Sequence, residues 1–110
     1  MQTAYFGGMR DVAREQLLAE LRALKPQFER EGVARMAMFG SRARGDNRLD
    51  SDVDLVIEIE PGRKFSMLDA AGLYGVIEDR IGLESSIVVF DDYTDPNFVE
   101  TVQRDRVEVF

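Results

Sequence analysis

An α/β domain is the fold class this sequence predicts. Helix-periodic apolar positions over residues 9–31 and 67–81 alternate with short apolar or strictly alternating runs at 33–39, 52–60 and 85–90. Helices interleaved with strands, with glycine and proline at the joints, are what a sheet covered by helices requires. No repeat, low-complexity tract or linker interrupts the pattern, so residues 1–110 read as one domain.

Each element follows from its residues. Over 9–31, Val12, Leu17, Leu18, Leu21, Leu24 and Phe28 fall on one helical face, with Arg14, Glu15, Glu20 and Arg22 on the other. Pro26 predicts a kink in the last turn, and Gly32 a C-terminal stop. Residues 33–39 (VARMAMF) read as a buried strand, with Met36, Met38 and Phe39 in its core. The polar connection 40–51 (GSRARGDNRLDS) leaves room for one helical turn after Ser41. In 52–60, Val53, Leu55, Ile57 and Ile59 face one way and Asp52, Asp54, Glu58 and Glu60 the other. Pro61-Gly62 ends that strand. Ser66 is placed to cap a helix over 67–81, with Asp69 in its first turn and Leu73, Val76, Ile77 and Ile81 as its buried stripe. Gly82 closes it, 85–90 (SSIVVF) form a third strand, and Asp95-Pro96 opens a final helix. Residues 106–110 add an edge strand, and Tyr5 and Phe6 before Gly7-Gly8 read as a loose N-terminal arm.

Charge excludes some functions. The chain carries 21 acidic against 14 basic residues, a formal charge of −7. Gripping a phosphate backbone requires a basic stripe, so no direct nucleic-acid binding is expected. An acidic chain still binds a nucleotide locally through a metal ion and backbone N–H groups, and it attracts a basic protein partner. Cysteine and histidine are both absent. That removes thiolate and imidazole chemistry together, leaving hard oxygen ligands that suit Mg²⁺, Mn²⁺ or Ca²⁺. No apolar run reaches signal-peptide or membrane-span length, which predicts a cytoplasmic protein without membrane association. With so little interior, an enzyme of this size has an open groove or a site completed by a partner.

Two short motifs carry candidate chemistry. Gly40-Ser41-Arg42-Ala43-Arg44-Gly45 follows a strand directly. It is either an ordinary turn and cap, or a sharp turn whose free N–H groups and Ser41 hydroxyl hold phosphate oxygens. Asp52-Val53-Asp54 opens the alternating strand, its two carboxylates on one face with Cα atoms about 6.6 Å apart. Aspartate is normal on a solvated strand face, yet it is a poor strand former and two like charges repel, which favours a shared divalent cation. A phosphate-holding turn just upstream of a metal-holding strand is what nucleotidyl transfer needs. Arg42 and Arg44 are candidates to touch the triphosphate or a partner.

FGSRARG followed by SDVDLVIEI resembles the paired signature of the polymerase-β-like nucleotidyltransferases. The short chain, the helix before the motif and the tail RDRVEVF are similar to the minimal nucleotidyltransferase (MNT) branch. The resemblance implies a nucleotidyltransferase fold, a small mixed sheet with helices mainly on one face. It implies that Gly40 and Ser41 contact the nucleotide phosphates and that Asp52 and Asp54 ligate Mg²⁺ as catalytic carboxylates. It also implies ATP as the nucleotide and a HEPN-domain toxin as the partner, with the chain as antitoxin, in some members by transferring AMP to a toxin tyrosine.

One position departs from that pattern. Family members commonly carry a third carboxylate on the strand after the second long helix, and an ungapped comparison places Ser86 there. That carboxylate is the expected general base, a role serine cannot take at neutral pH. Glu84 lies two residues away on the same face, while Asp91 and Asp92 lie beyond the strand. The sequence therefore leaves three readings open: an active protein adenylyltransferase, a catalytically impaired module acting by occlusion, and a free-standing small-molecule nucleotidyltransferase. The lack of a second substrate domain weighs against the last.

Overall fold

The computed structural model describes residues 9–110. The proposed arm at Tyr5 and Phe6 lies outside the described residues. The first helical stretch is two helices, α1 (Arg14–Ala23) and α2 (Lys25–Arg30), rather than one kinked helix. The break falls at Leu24, because Pro26 has no N–H to continue the ladder and instead occupies the first turn of α2, where none is needed. Strand β1 (Val33–Phe39) follows, then a single turn of helix α3 (Gly40–Arg44) and strand β2 (Val53–Ile59). Helix α4 (Met67–Ile81) has the expected bounds, and Ser66 and Asp69 form a reciprocal capping box at its start. Strand β3 (Ser85–Val89), helix α5 (Pro96–Asp105) and the two-residue strand β4 (Val107–Glu108) complete the order.

The sheet runs β3-β2-β1-β4. β1 pairs antiparallel with both β2 and β4, and β2 pairs parallel with β3 through the α4 crossover. This is a small mixed sheet. The main core lies on the face carrying Met36, Met38, Val53, Leu55 and Ile57, which α1, α2 and α4 cover with Leu17, Leu21, Phe28, Leu73 and Ile77. Burying each such side chain contributes roughly 1.5–3 kcal/mol, so this face dominates stability.

The other face is apolar only in its middle. Ala37 and Val56 are cross-strand partners there, and Val102 of α5 packs on them with Phe39, Phe90 and Phe98 around it. Val56 is thus the one apolar side chain on the polar side of β2 (Asp54, Val56, Glu58), and α5 is the reason it is buried. Among the described residues, no helix is long and apolar enough to cross a membrane.

Candidate functional site

Phe39, Asp54 and Ser86 stand side by side across three strands. The registers pair Phe39 with Asp54 and Asp54 with Ser86, so these side chains share the face and the sheet end at which β1 turns into α3. The turn is tight. Phe39 is fully extended, Gly40 is left-handed at φ +76°, and a Cβ on Gly40 would collide with Asp54 Oδ2. A residue with a side chain would be strained there and would also displace the carboxylate. Helix α3 then closes at Gly45, also left-handed, whose N–H donates to Ser41 O at 2.8 Å. The Asp46 N–H donates to the same carbonyl at 3.1 Å. Gly40 is therefore brought directly to the Asp54 carboxylate, and Ser41 follows it in the first turn of α3.

Asp52 sits just before β2 and is exposed, whereas Asp54 is half-buried. Burial, and next the neighbouring Asp52 charge, push the Asp54 carboxyl above its ordinary value, against a smaller pull from Arg44. With Asp52 close enough to disfavour the charge on Asp54, the two carboxylates form a hard-oxygen donor pair, which fits Mg²⁺. Among the described residues no third carboxylate joins them to complete a metal cluster. A pair alone matches the way Mg²⁺ is held through one or two carboxylates plus substrate phosphates and water.

Arg42 and Arg44 have structural work. Arg42 is 2% exposed and lies inside the connection between α3 and β2. Its guanidinium donates to the carbonyls of Ser51 at 2.9 Å and Leu49 at 3.1 Å, with longer bonds to Arg48 and Arg10. It is a clamp on the segment that delivers Asp52, which nothing in the sequence distinguished from a surface arginine. Desolvation pulls its pKa down, with Arg10 adding to that pull. Arg44 pairs with Asp46 at 3.0 Å and Asp105 at 2.7 Å, tying α3 to α5.

Ser86 is exposed directly beside Asp54, and Glu84 immediately precedes β3, its carbonyl accepting from Val53 N at 2.9 Å. Asp91 and Asp92 follow the opposite end of β3. Asp91 is taken up there by the Tyr93 N–H and by Thr94. Glu58 pairs with Arg35 and Arg106 farther along the same face.

Comparison with known proteins agrees with this fold. The family model described as "Nucleotidyltransferase domain" matches residues 15–109. The "Putative protein adenylyltransferase MJ0435" of Methanocaldococcus jannaschii is 29% identical over 86 residues, covering 78% of this chain and 84% of that protein. A solved structure described as a "putative minimal nucleotidyltransferase" is 35% identical, superposes with a TM-score of 0.72, and covers 87% of this chain and 95% of its own. The MNT antitoxin complex with the tri-AMPylated HEPN toxin of Shewanella oneidensis shares the fold at a TM-score of 0.58. Identity there is 9%, with 84% of this chain and 71% of that chain covered.

Proposed function

The chain belongs to the nucleotidyltransferase domain family, in its minimal branch, and from that premise we propose that it is an MNT-type antitoxin that binds Mg–ATP and neutralises a HEPN-domain toxin. The observation that carries this reading is the contact between Gly40 and Asp54, which joins the phosphate-holding turn to the metal-holding strand. Gly40 and Ser41 would hold the phosphates through the Ser41 hydroxyl and the open N–H groups of the turn. Asp52 and Asp54 would hold Mg²⁺, which supplies charge neutralisation at the phosphates when bound. The relatives support adenylyl transfer to a protein as the reaction class, and the family resemblance implies a tyrosine hydroxyl of the toxin as acceptor. The acceptor would enter over β3, where Ser86 is exposed beside Asp54.

A second reading rests on the same register. Where a base should stand next to Asp54 there is a serine, so the protein neutralises its toxin mainly by occlusion and retains the nucleotide site as a remnant. Labelled ATP and Mg²⁺ incubated with the purified chain and a candidate HEPN toxin separate the two. Label on a toxin tyrosine, abolished by Asp52→Asn with Asp54→Asn, supports transfer. Toxin inhibition without label supports occlusion, and neither effect refutes the antitoxin reading.

A further inference from the structure

The outward face of α4 has the wrong chemistry for a helix that meets only water. At helical spacing, Leu68, Ala71, Gly72 and Gly75 line up opposite the buried stripe of Leu73, Ile77 and Ile81. All four are exposed, Leu68 by 84%, and Met67 beside it by 90%. Among α4's own residues no charge falls on this face until Asp79, and the Glu31 carboxylate borders it beside Gly72. The two glycines have no reason within the fold. A Cβ at Gly75 would meet nothing within 4 Å, and one at Gly72 would make only ordinary contact with Glu31. Neither has positive φ, and glycine weakens a helix interior relative to alanine. Large apolar side chains beside bare backbone form a projection and a recess on one helix.

We propose that this face is the interface of a two-fold homodimer, in which α4 packs antiparallel on α4 of a second copy. A two-fold interface must be complementary to itself, and the residue spacing meets that condition. With the axis between Ala71 and Gly72, Leu68 of each copy lies over Gly75 of the other, where the missing Cβ admits it. The same register brings Lys64, just ahead of α4, to Asp79 near the end of the other helix. Neither of these two charges has an ion-pair partner among the described residues. Antiparallel helices also set opposite dipole ends together. Gly40, Asp54 and Ser86 lie at the other face of the sheet, so both sites stay open and the inference does not depend on their activity. A pair of 15-residue helices is a small interface, which sets the affinity in the micromolar range.

Sedimentation velocity across concentrations up to the order of 100 μM measures this directly. The wild-type chain should pass from monomer to dimer, and Leu68→Lys, exposed enough to leave the fold intact, should remain monomeric. Because the chain has no cysteine, Ala71→Cys should form an intermolecular disulfide on mild oxidation, whereas Thr101→Cys on the exposed side of α5 should not. A monomer throughout overturns the proposal. A dimer that survives Leu68→Lys, or equal cross-linking at both cysteines, overturns α4 as its interface.

Discussion

Gly40 is pressed so closely on Asp54 that a methyl group on its α-carbon would run into the carboxylate oxygen Oδ2. Gly45, at the other end of α3, has the same left-handed backbone but nothing within 4 Å of the corresponding point. The two glycines therefore separate backbone strain from displacement of the carboxylate. Gly40→Ala and Gly45→Ala should each lose about 1–2 kcal/mol of stability through strain at positive φ. Only Gly40→Ala should also abolish the rise in melting temperature produced by Mg–ATP. Loss of that rise in both variants would detach Gly40 from the nucleotide site.

Asp54 should cost the free protein stability. Its folded pKa is raised, so the folded chain keeps the proton to a higher pH than the unfolded chain does. Stability contributed by this group is thus present below the ordinary value of 3.8 and falls as pH rises through the raised folded value. Asp54→Asn should melt higher than wild type at neutral pH without ligand, and should gain nothing from Mg–ATP. A lower melting temperature for the unliganded variant would show that the carboxylate is stabilised rather than strained.

Ser41→Ala should weaken ATP binding by about 1–2 kcal/mol, the size of a lost hydrogen bond to a charged acceptor. Calorimetric titration with Mg–ATP measures it. Unchanged affinity would reduce the turn to a structural element.

On the proposed transfer reading, the place beside Asp54 should set the rate. A positioned carboxylate contributes about 10²–10⁴-fold to deprotonating an acceptor, and Ser86 supplies none. In a single-turnover assay on the toxin, wild type should be slow and Ser86→Asp faster. If Glu84 acts in its stead, wild type is fast and Glu84→Gln is dead. Fast transfer that ignores Glu84 would show that the base comes from elsewhere.

Arg42→Lys should destabilise the chain by about 2–4 kcal/mol in urea unfolding, since one ammonium cannot replace a planar fork among buried carbonyls. It should also weaken Mg–ATP binding, because Ser51 and Asp52 lose their anchor. A change under about 0.5 kcal/mol, the scale of ordinary surface substitutions, would remove the clamp from the account.

Much of this was legible in the order of residues, and the reason is periodicity. Ser66, Asp69 and the Leu73–Ile77–Ile81 stripe specify α4 to the residue, because caps and helical spacing are local properties. The alternation around Asp54 sets β2 in the same way, and Gly40 marks the turn into α3. Pro26 signalled trouble, but the spacing alone did not show that the helix splits at Leu24, with Pro26 in the first turn of a new helix, rather than kinking. Arg42 carried no signal at all, since a buried arginine and a surface one look alike in a chain rich in both charges.

By itself, then, the sequence determined the α/β class, the capped helices, the hard-oxygen character of the site and the pairing of a glycine turn with two aspartates. Those properties come from neighbours a few residues apart. Only the tertiary structure decided that Ser86 stands across from Asp54, that Gly40 touches its carboxylate, that Arg42 clamps Ser51 and that α5 covers Val56. Each of these depends on strand register or on packing between distant segments. A shift of one residue would turn the side chains of β3 to the other face, so no local pattern could have set them.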